Sequence, residues 1–199
     1  STMLINSNIR KSIKKTKKIK KKFNSTPFEQ IKKKINFKLT KDQLNAINDI
    51  NNDLSSDRKM FRLLQGDVGS GKTIVALISC LNVINSNFQA SFMAPTEILA
   101  NQHYNLAKKL FGQNVIVKLL TSKTEYSERK QIYNDLKNNK IDLLVGTHSL
   151  FQEKIIYHNL GLIIIDEQHK FGVKQRKKLS DKGGKNCDVL VMSATPIPR

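Results

Sequence analysis

The sequence predicts an α/β domain built on a mainly parallel sheet with helices on both faces, and three observations predict it. Short apolar runs alternate with amphipathic segments of helical length from about Asn36 onward. A glycine-rich octet, Gly66 to Thr73, stands between one such run and one such segment, and polar clusters follow the ends of the runs. Alternation of this kind forms βαβ units, whose ligands gather beyond the carboxyl ends of the strands. The 199 residues, 39% of them hydrophobic, suffice for one such core with an appendage.

Residues 1–36 hold twelve basic residues against the single acidic Glu29, and are expected to form a basic helical extension to a domain spanning residues 37–199. Ser1-Thr2 ahead of Met3 reads as a scar of expression. In the run Lys11 to Lys22, Ile13 and Ile19 are the only apolar members, and a solvated charge run is expected there. Enrichment in Ile, Asn and Lys throughout, as AT-rich coding produces, favours that reading slightly over phosphate binding, which a lysine strip also supplies without reading sequence. Thr40 reads as a helix N-cap with Gln43 at capping-box spacing, and Leu44, Ile47, Ile50 and Leu54 continue at helical intervals. Phe61 to Gln65 fits a buried strand and Thr73 to Ile84 a helix. Further strands are expected at Ala90 to Ala94, Val115 to Leu120, Asp142 to Val145, Leu160 to Ile165 and Val189 to Met192. Helices are expected near Glu97 to Phe111, Glu125 to Asn139 and Val173 to Ser180.

The formal charge of +19 points to a polyanionic partner such as nucleic acid. No apolar run reaches the length of about eighteen residues that a membrane span needs, so no membrane partner is expected. Cys80 and Cys187 lie too far apart for a metal motif, and reduced thiols of a cytoplasmic protein are the expectation.

Gly66-Asp67-Val68-Gly69-Ser70-Gly71-Lys72-Thr73 has the composition of a nucleotide-phosphate loop. Its glycines accept the left-handed torsions that turn several N–H groups onto one anion, which then sits at a helix N-terminus. Lys72 is placed to reach the β and γ phosphates of ATP and the Thr73 hydroxyl to ligate Mg²⁺. Leu162 to Ile165 is an aliphatic strand that ends abruptly in Asp166-Glu167. Asp166 is the candidate to organise Mg²⁺, directly or through its water, and Glu167 the candidate base for the attacking water. His169 has no neighbour at metal-ligand spacing and is expected to link the nucleotide site to adjoining segments. Gln43 either contacts adenine through its amide or serves only as a cap. Ala94-Pro95-Thr96-Glu97, Gly146-Thr147-His148-Ser149 and Ser193-Ala194-Thr195-Pro196 follow strand ends with hydroxyls and helix N-terminal amides, which suit either loop capping or contacts to a nucleic-acid backbone.

Taken in order, Gln43, the phosphate loop, Ala-Pro-Thr-Glu, Gly-Thr-His, Asp-Glu-Gln-His and Ser-Ala-Thr resemble the first motor domain of a superfamily-two helicase. Leu64 to Val68, Met93 to His103, Asp166 to Val173 and Thr195 to Arg199 look narrowly like the RecG type of bacterial ATP-dependent DNA helicase. The motor of transcription-repair coupling is similar but carries a second acid where Gln168 stands and a different residue at Ser70. The resemblance, over residues 37–199, implies a RecA-like P-loop NTPase fold. It implies ATP and Mg²⁺ as cofactors, DNA as partner, and remodelling of stalled forks and recombination junctions as the activity. On it, Gln43 reads adenine, and Gln168, His169, Ser193 and Thr195 couple hydrolysis to movement. Thr96, Glu97, Thr147 and His148 face DNA. Such enzymes also have an N-terminal wedge domain and a second motor domain carrying arginines for the γ phosphate, neither of which this sequence matches. Weak or no turnover is therefore expected of it alone. The competing reading is a non-catalytic basic module that binds nucleic acid through its lysines.

Overall fold

Among the residues that the computed structural model describes, namely 4–6, 17–167, 178 and 181–194, seven strands form one sheet. The strands are β1 (Leu4–Asn6), β2 (Phe61–Gln65), β3 (Gln89–Met93), β4 (Val117–Leu120), β5 (Leu143–Gly146), β6 (Leu160–Glu167) and β7 (Asp188–Ser193). The helices are α1 (Thr26–Lys34), α2 (Lys41–Leu54), α3 (Lys72–Ile84), α4 (Glu97–Phe111) and α5 (Tyr126–Lys137). The sheet runs β1-β2-β7-β6-β3-β5-β4, with β2 to β4 across the sheet mutually parallel and β1 antiparallel on the edge of β2. The parallel α/β architecture expected from the sequence is therefore observed. β6 extends two residues beyond the expected end at Ile165, the helix at Glu97–Phe111 matches its expected bounds, and β1 was not foreseen. The expected helix Val173 to Ser180 lies almost wholly outside the described residues.

Local chemistry starts the helices where the sequence suggests. Thr40 caps α2 by accepting from the Gln43 N–H at 3.1 Å, while the Gln43 side-chain oxygen accepts from the Thr40 N–H at 2.9 Å, a reciprocal box. Thr96 caps α4 by accepting from the Leu99 N–H at 3.2 Å. The sheet is buried on both faces, as parallel sheets are. Leu162, Ile164, Leu190 and Met192 face one core shared with α1, α2, α3 and α4, while Ile163, Ile165, Val189 and Val191 face a second core shared with α5. The period of two puts Asp166 in line with Leu162 and Ile164, on the face that α3 and α4 cover. Among the described residues no helix is long and apolar enough to cross a membrane.

The lysine run departs from expectation. Lys18 and Lys21 are 5% and 1% exposed, and both ammonium groups reach the Asp188 carboxylate at the base of β7 at 2.7 Å. Lys18 Nζ also donates to the Asp53 and Leu54 carbonyls at the end of α2, and Lys21 Nζ to the Asn186 carbonyl, over the Phe88 ring. The Met60 N–H donates to the same carboxylate at 2.7 Å. Two cations share one anion here because helix-end and loop carbonyls supply the remaining acceptors. Burial holds the Lys18 pKa below the ordinary lysine value, opposed by Asp188. Lys17, Lys20 and Lys22 remain exposed, so the run is solvated only in part. Downstream, α1 buries Ile31 completely, and Lys34 Nζ donates to the Leu110 carbonyl at the end of α4. The packing thus continues upstream of Asn36, at least to Lys17.

Removing the shared anion leaves two buried cations opposed. Asp188→Ala is expected to lower the unfolding free energy by about 3–5 kcal/mol, measured by urea titration, whereas Lys20→Ala, an exposed neighbour, leaves the titration unchanged. The cysteines give a second check. Both are free and fully buried; burial drives the Cys80 thiol far up, and burial together with the adjacent Asp188 pushes Cys187 up to about 12. Since the thiolate is the reactive form, an aromatic disulfide reagent at pH 8 is expected to label neither in native protein and both in urea. Prompt labelling of native protein contradicts this burial.

Candidate nucleotide-binding site

β2 delivers the chain to the octet at the carboxyl edge of the sheet. Gln65 lies opposite Ser193, Ser193 lies opposite Glu167, and the Gly66 N–H donates to the Ser193 carbonyl at 3.2 Å. The ends of β2, β7 and β6 are therefore level, and the loop begins one strand away from the tip bearing Asp166. Gly69 and Gly71 take left-handed torsions, φ of 79° and 83°, and Gly71 is the N-cap of α3. The Ser70 N–H closes the loop on the Asp67 carbonyl at 3.0 Å. Lys72, first residue of α3, donates to the Gly66 and Asp67 carbonyls at 2.6 and 2.8 Å. Burial lowers its pKa from the ordinary lysine value, and Asp166 followed by Asp67 opposes that shift, so Lys72 and Asp166 sense one another electrostatically. Thr73 follows on α3, half-buried, and Val68 at the loop tip is 85% exposed.

Gln43, 4% exposed, is anchored at both ends of its amide. Its oxygen completes the α2 capping box and its nitrogen donates to the Ser70 carbonyl at 2.9 Å. It braces the phosphate loop from α2, and a Cβ added to Gly71 meets its nitrogen at 2.0 Å. The capping alternative for Gln43 is thus present. Ser70 Oγ is buried with no hydrogen-bond partner among the described residues. A buried, unpaired hydroxyl in a glycine-rich loop that leads into a lysine at a helix N-terminus fits the oxygen-rich end of a nucleotide. Asp166 is 8% exposed and its Oδ2 lies 2.7 Å from His103 Nε2 on α4. The backbone of Glu167 completes β6, and Ser193 is buried at the end of β7. Gln168, His169 and Thr195 lie outside the described residues.

Comparison with known proteins accords with this geometry. The DEAD/DEAH box helicase profile matches residues 40–199. The chain belongs to the DEAD/DEAH box helicase family. It is 50% identical over 192 residues to the ATP-dependent DNA helicase RecG of Thermotoga maritima, covering 96% of this chain and 24% of that protein. It is 54% identical over 168 residues to RecG of Aquifex aeolicus, covering 83% and 21%. A structure of RecG bound to a three-way DNA junction superposes with a TM-score of 0.81 at 47% identity, covering 93% of this chain and 25% of that one. The UvsW helicase of bacteriophage T4 shares the fold alone, with a TM-score of 0.61 at 14% identity, covering 80% and 53%. The chain spans about a quarter of the length of the RecG proteins it matches.

In this helicase domain the other sequence-picked residues lie farther along the same sheet edge, after β3 and β5. The Thr96 hydroxyl serves as the α4 cap, and Glu97 accepts from Ser122 Oγ and pairs with Lys123 at 3.2 Å. That hydrogen bond, helped by Lys123, holds the Glu97 carboxyl below the usual carboxylate range. Thr147 is buried and its carbonyl accepts from the Leu150 N–H, while His148 opens an exposed turn. Thr96 thus caps a helix and Glu97 ties down a loop, as the capping alternative had it, whereas the Thr147 side chain makes no cap bond. His103 was not singled out from sequence. A signal existed: Ala100, His103, Ala107 and Leu110 make the buried stripe of α4, and a histidine in such a stripe demands a polar partner.

The brace between Gln43 and the loop gives a differential prediction. Gly69→Ala incurs only the strain of a left-handed alanine, about 1–3 kcal/mol, because nothing lies within 4 Å of the added Cβ. Gly71→Ala carries the same strain and also displaces Gln43, adding roughly the 1 kcal/mol of a lost cap. Urea titration is expected to rank Gly71→Ala as the less stable variant; equal stability contradicts the brace.

Proposed function

We propose that this chain is the ATP-binding first motor domain of a RecG-type DNA helicase, one half of an engine that couples ATP hydrolysis to remodelling of branched DNA at stalled forks and recombination junctions. The observation that supports it most is the common level of the β2, β7 and β6 ends, which brings the phosphate loop and the Asp166-Glu167 tip together. In this reading Gly66, Asp67, Val68, Gly69, Ser70 and Gly71 wrap the triphosphate, and Lys72 trades its loop carbonyls for phosphate oxygens. The Thr73 hydroxyl and the Asp166 carboxylate are hard oxygen donors of the sort Mg²⁺ prefers, and few protein ligands suffice when substrate phosphates complete the shell. When bound, Mg²⁺ would neutralise negative charge on the phosphates. Glu167 accepts the proton of the attacking water, Gln43 contacts adenine from α2 by giving up its bond to the Ser70 carbonyl, and Gln168, His169, Ser193 and Thr195 relay the hydrolytic state.

DNA is the proposed partner, met through its phosphate backbone near Thr96, Glu97, Thr147 and His148. The net charge of +19 and the junction-bound RecG relative support this. The rival reading, a basic module working through its lysine run, is weakened because Lys18 and Lys21 are spent on Asp188. We place the working protein in the bacterial cytosol or nucleoid, with residues 1–36 leading from a wedge domain and a second motor domain lending arginines to the γ phosphate. An arginine supplied from elsewhere is worth roughly 10³–10⁵ in rate, so this chain alone is expected to bind Mg²⁺-ATP and turn it over weakly. Calorimetry is expected to show binding in the parent and none in Lys72→Ala. Undiminished affinity in that variant rejects the site assignment, and robust DNA-stimulated turnover by the chain rejects the half-engine.

A further inference from the structure

We propose that His103 is a positioning residue for the Asp166 carboxylate, fixing the orientation in which that group meets Mg²⁺; the proposal rests on the nucleotide-site reading above. A carboxylate at a strand tip rotates about two side-chain torsions, and a metal site needs it in one orientation. His103 restrains it directly, Nε2 to Oδ2 at 2.7 Å, with both side chains about one-tenth exposed or less. An ionised carboxylate only accepts hydrogen bonds, so Nε2 carries the proton in this contact. The imidazole is itself restrained. Its ring lies on Phe92 of β3, centroids 4.6 Å apart at 35°, and the stripe around it consists of Ala100, Ala107 and Leu110. The donor is thus held by α4 and β3, and the acceptor by β6, which pairs with β3 through Ile165 and Met93 one residue earlier.

A histidine that merely fills the core makes a different prediction. Packing on Phe92 requires bulk, which methionine supplies; orienting Asp166 requires a donor at the Nε2 position, which glutamine supplies and methionine does not. Partners that orient a metal ligand typically change metal affinity about 10–100-fold when removed. They need not alter the grip of the phosphate loop on a nucleotide without metal.

The test is calorimetry of ADP binding to the parent chain, His103→Gln and His103→Met, each in Mg²⁺ and in EDTA. The expected result is equal affinity in EDTA for all three, a Mg²⁺-dependent gain in the parent largely kept by glutamine, and a gain smaller by about tenfold or more in methionine. A methionine variant with the full gain, or glutamine and methionine losing it equally, overturns the inference while leaving the nucleotide site standing. A parent that binds no ADP in either buffer overturns the nucleotide-site reading and this inference with it. Should His103→Met not fold, nuclear magnetic resonance of the parent decides. The Nε2-bound proton of His103 is expected to shift when Mg²⁺ is added to the ADP complex, and an unmoved signal overturns the role.

Discussion

The molecule hangs on one strand. β7 is hydrogen-bonded to β2 on one side and β6 on the other, and so sets the level of the phosphate loop relative to Asp166. A parallel strand tolerates no slip by one residue, because the period of two sends every side chain to the opposite face. Such a slip between β7 and β6 carries Leu190 and Met192 out of the α3 and α4 core and separates the level ends on which the site stands. Register is enforced at both ends of β7. At its end, the Ser193 carbonyl receives the first N–H of the octet; at its start, the buried Asp188 is gripped by Lys18, Lys21 and the Met60 N–H.

The clamp at Asp188 and the contact at Asp166 obey the same electrostatic rule with opposite purposes. Each buries an aspartate, and a buried charge is tolerable only with partners. At Asp188 both lysines also donate to carbonyls, Lys18 to two and Lys21 to one, and the result is a join between residues 17–24 and the sheet. At Asp166 the histidine engages one oxygen at a sheet edge, where ligand chemistry is possible. Position along the strand separates the roles: the amino end of the parallel sheet carries the join and the carboxyl end the chemistry.

What the sequence disclosed and what it withheld follow from range. Caps are written within four residues, so Thr40 with Gln43 and Thr96 before α4 were legible, as was the octet, whose glycines, lysine and threonine act within one turn and one helix start. Strands buried on both faces announced themselves as continuous apolar runs, Leu162 to Ile165 above all. Lys18 and Lys21 were illegible as core because the anion that neutralises them lies 170 and 167 positions away, and a lysine run looks solvated until its partner is known. His103 was illegible for a similar reason, its partner being 63 positions distant. β1 lacked any signal, since three residues on an edge satisfy no periodicity. Gln43 was legible as a residue but not as a brace, because its contact with Ser70 arises only when α2 packs on the loop.

The position of His103 on α4 ties the two ends of the sheet edge together. α4 starts at Thr96 and Glu97, the end proposed to face DNA, and His103 lies seven residues after its cap, about 10 Å along the axis at about 1.5 Å per residue. Between them the helix has no glycine or proline at which it could bend, and its buried stripe packs it against β4 and β5. Glu97, in its first turn, is held by Ser122 and Lys123 from the loop after β4. The His103–Asp166 contact therefore joins the tip of β6 to α4. The carboxylate proposed to hold Mg²⁺ is thereby tied to α4, and the phosphate loop to β7 and to Gln43 on α2.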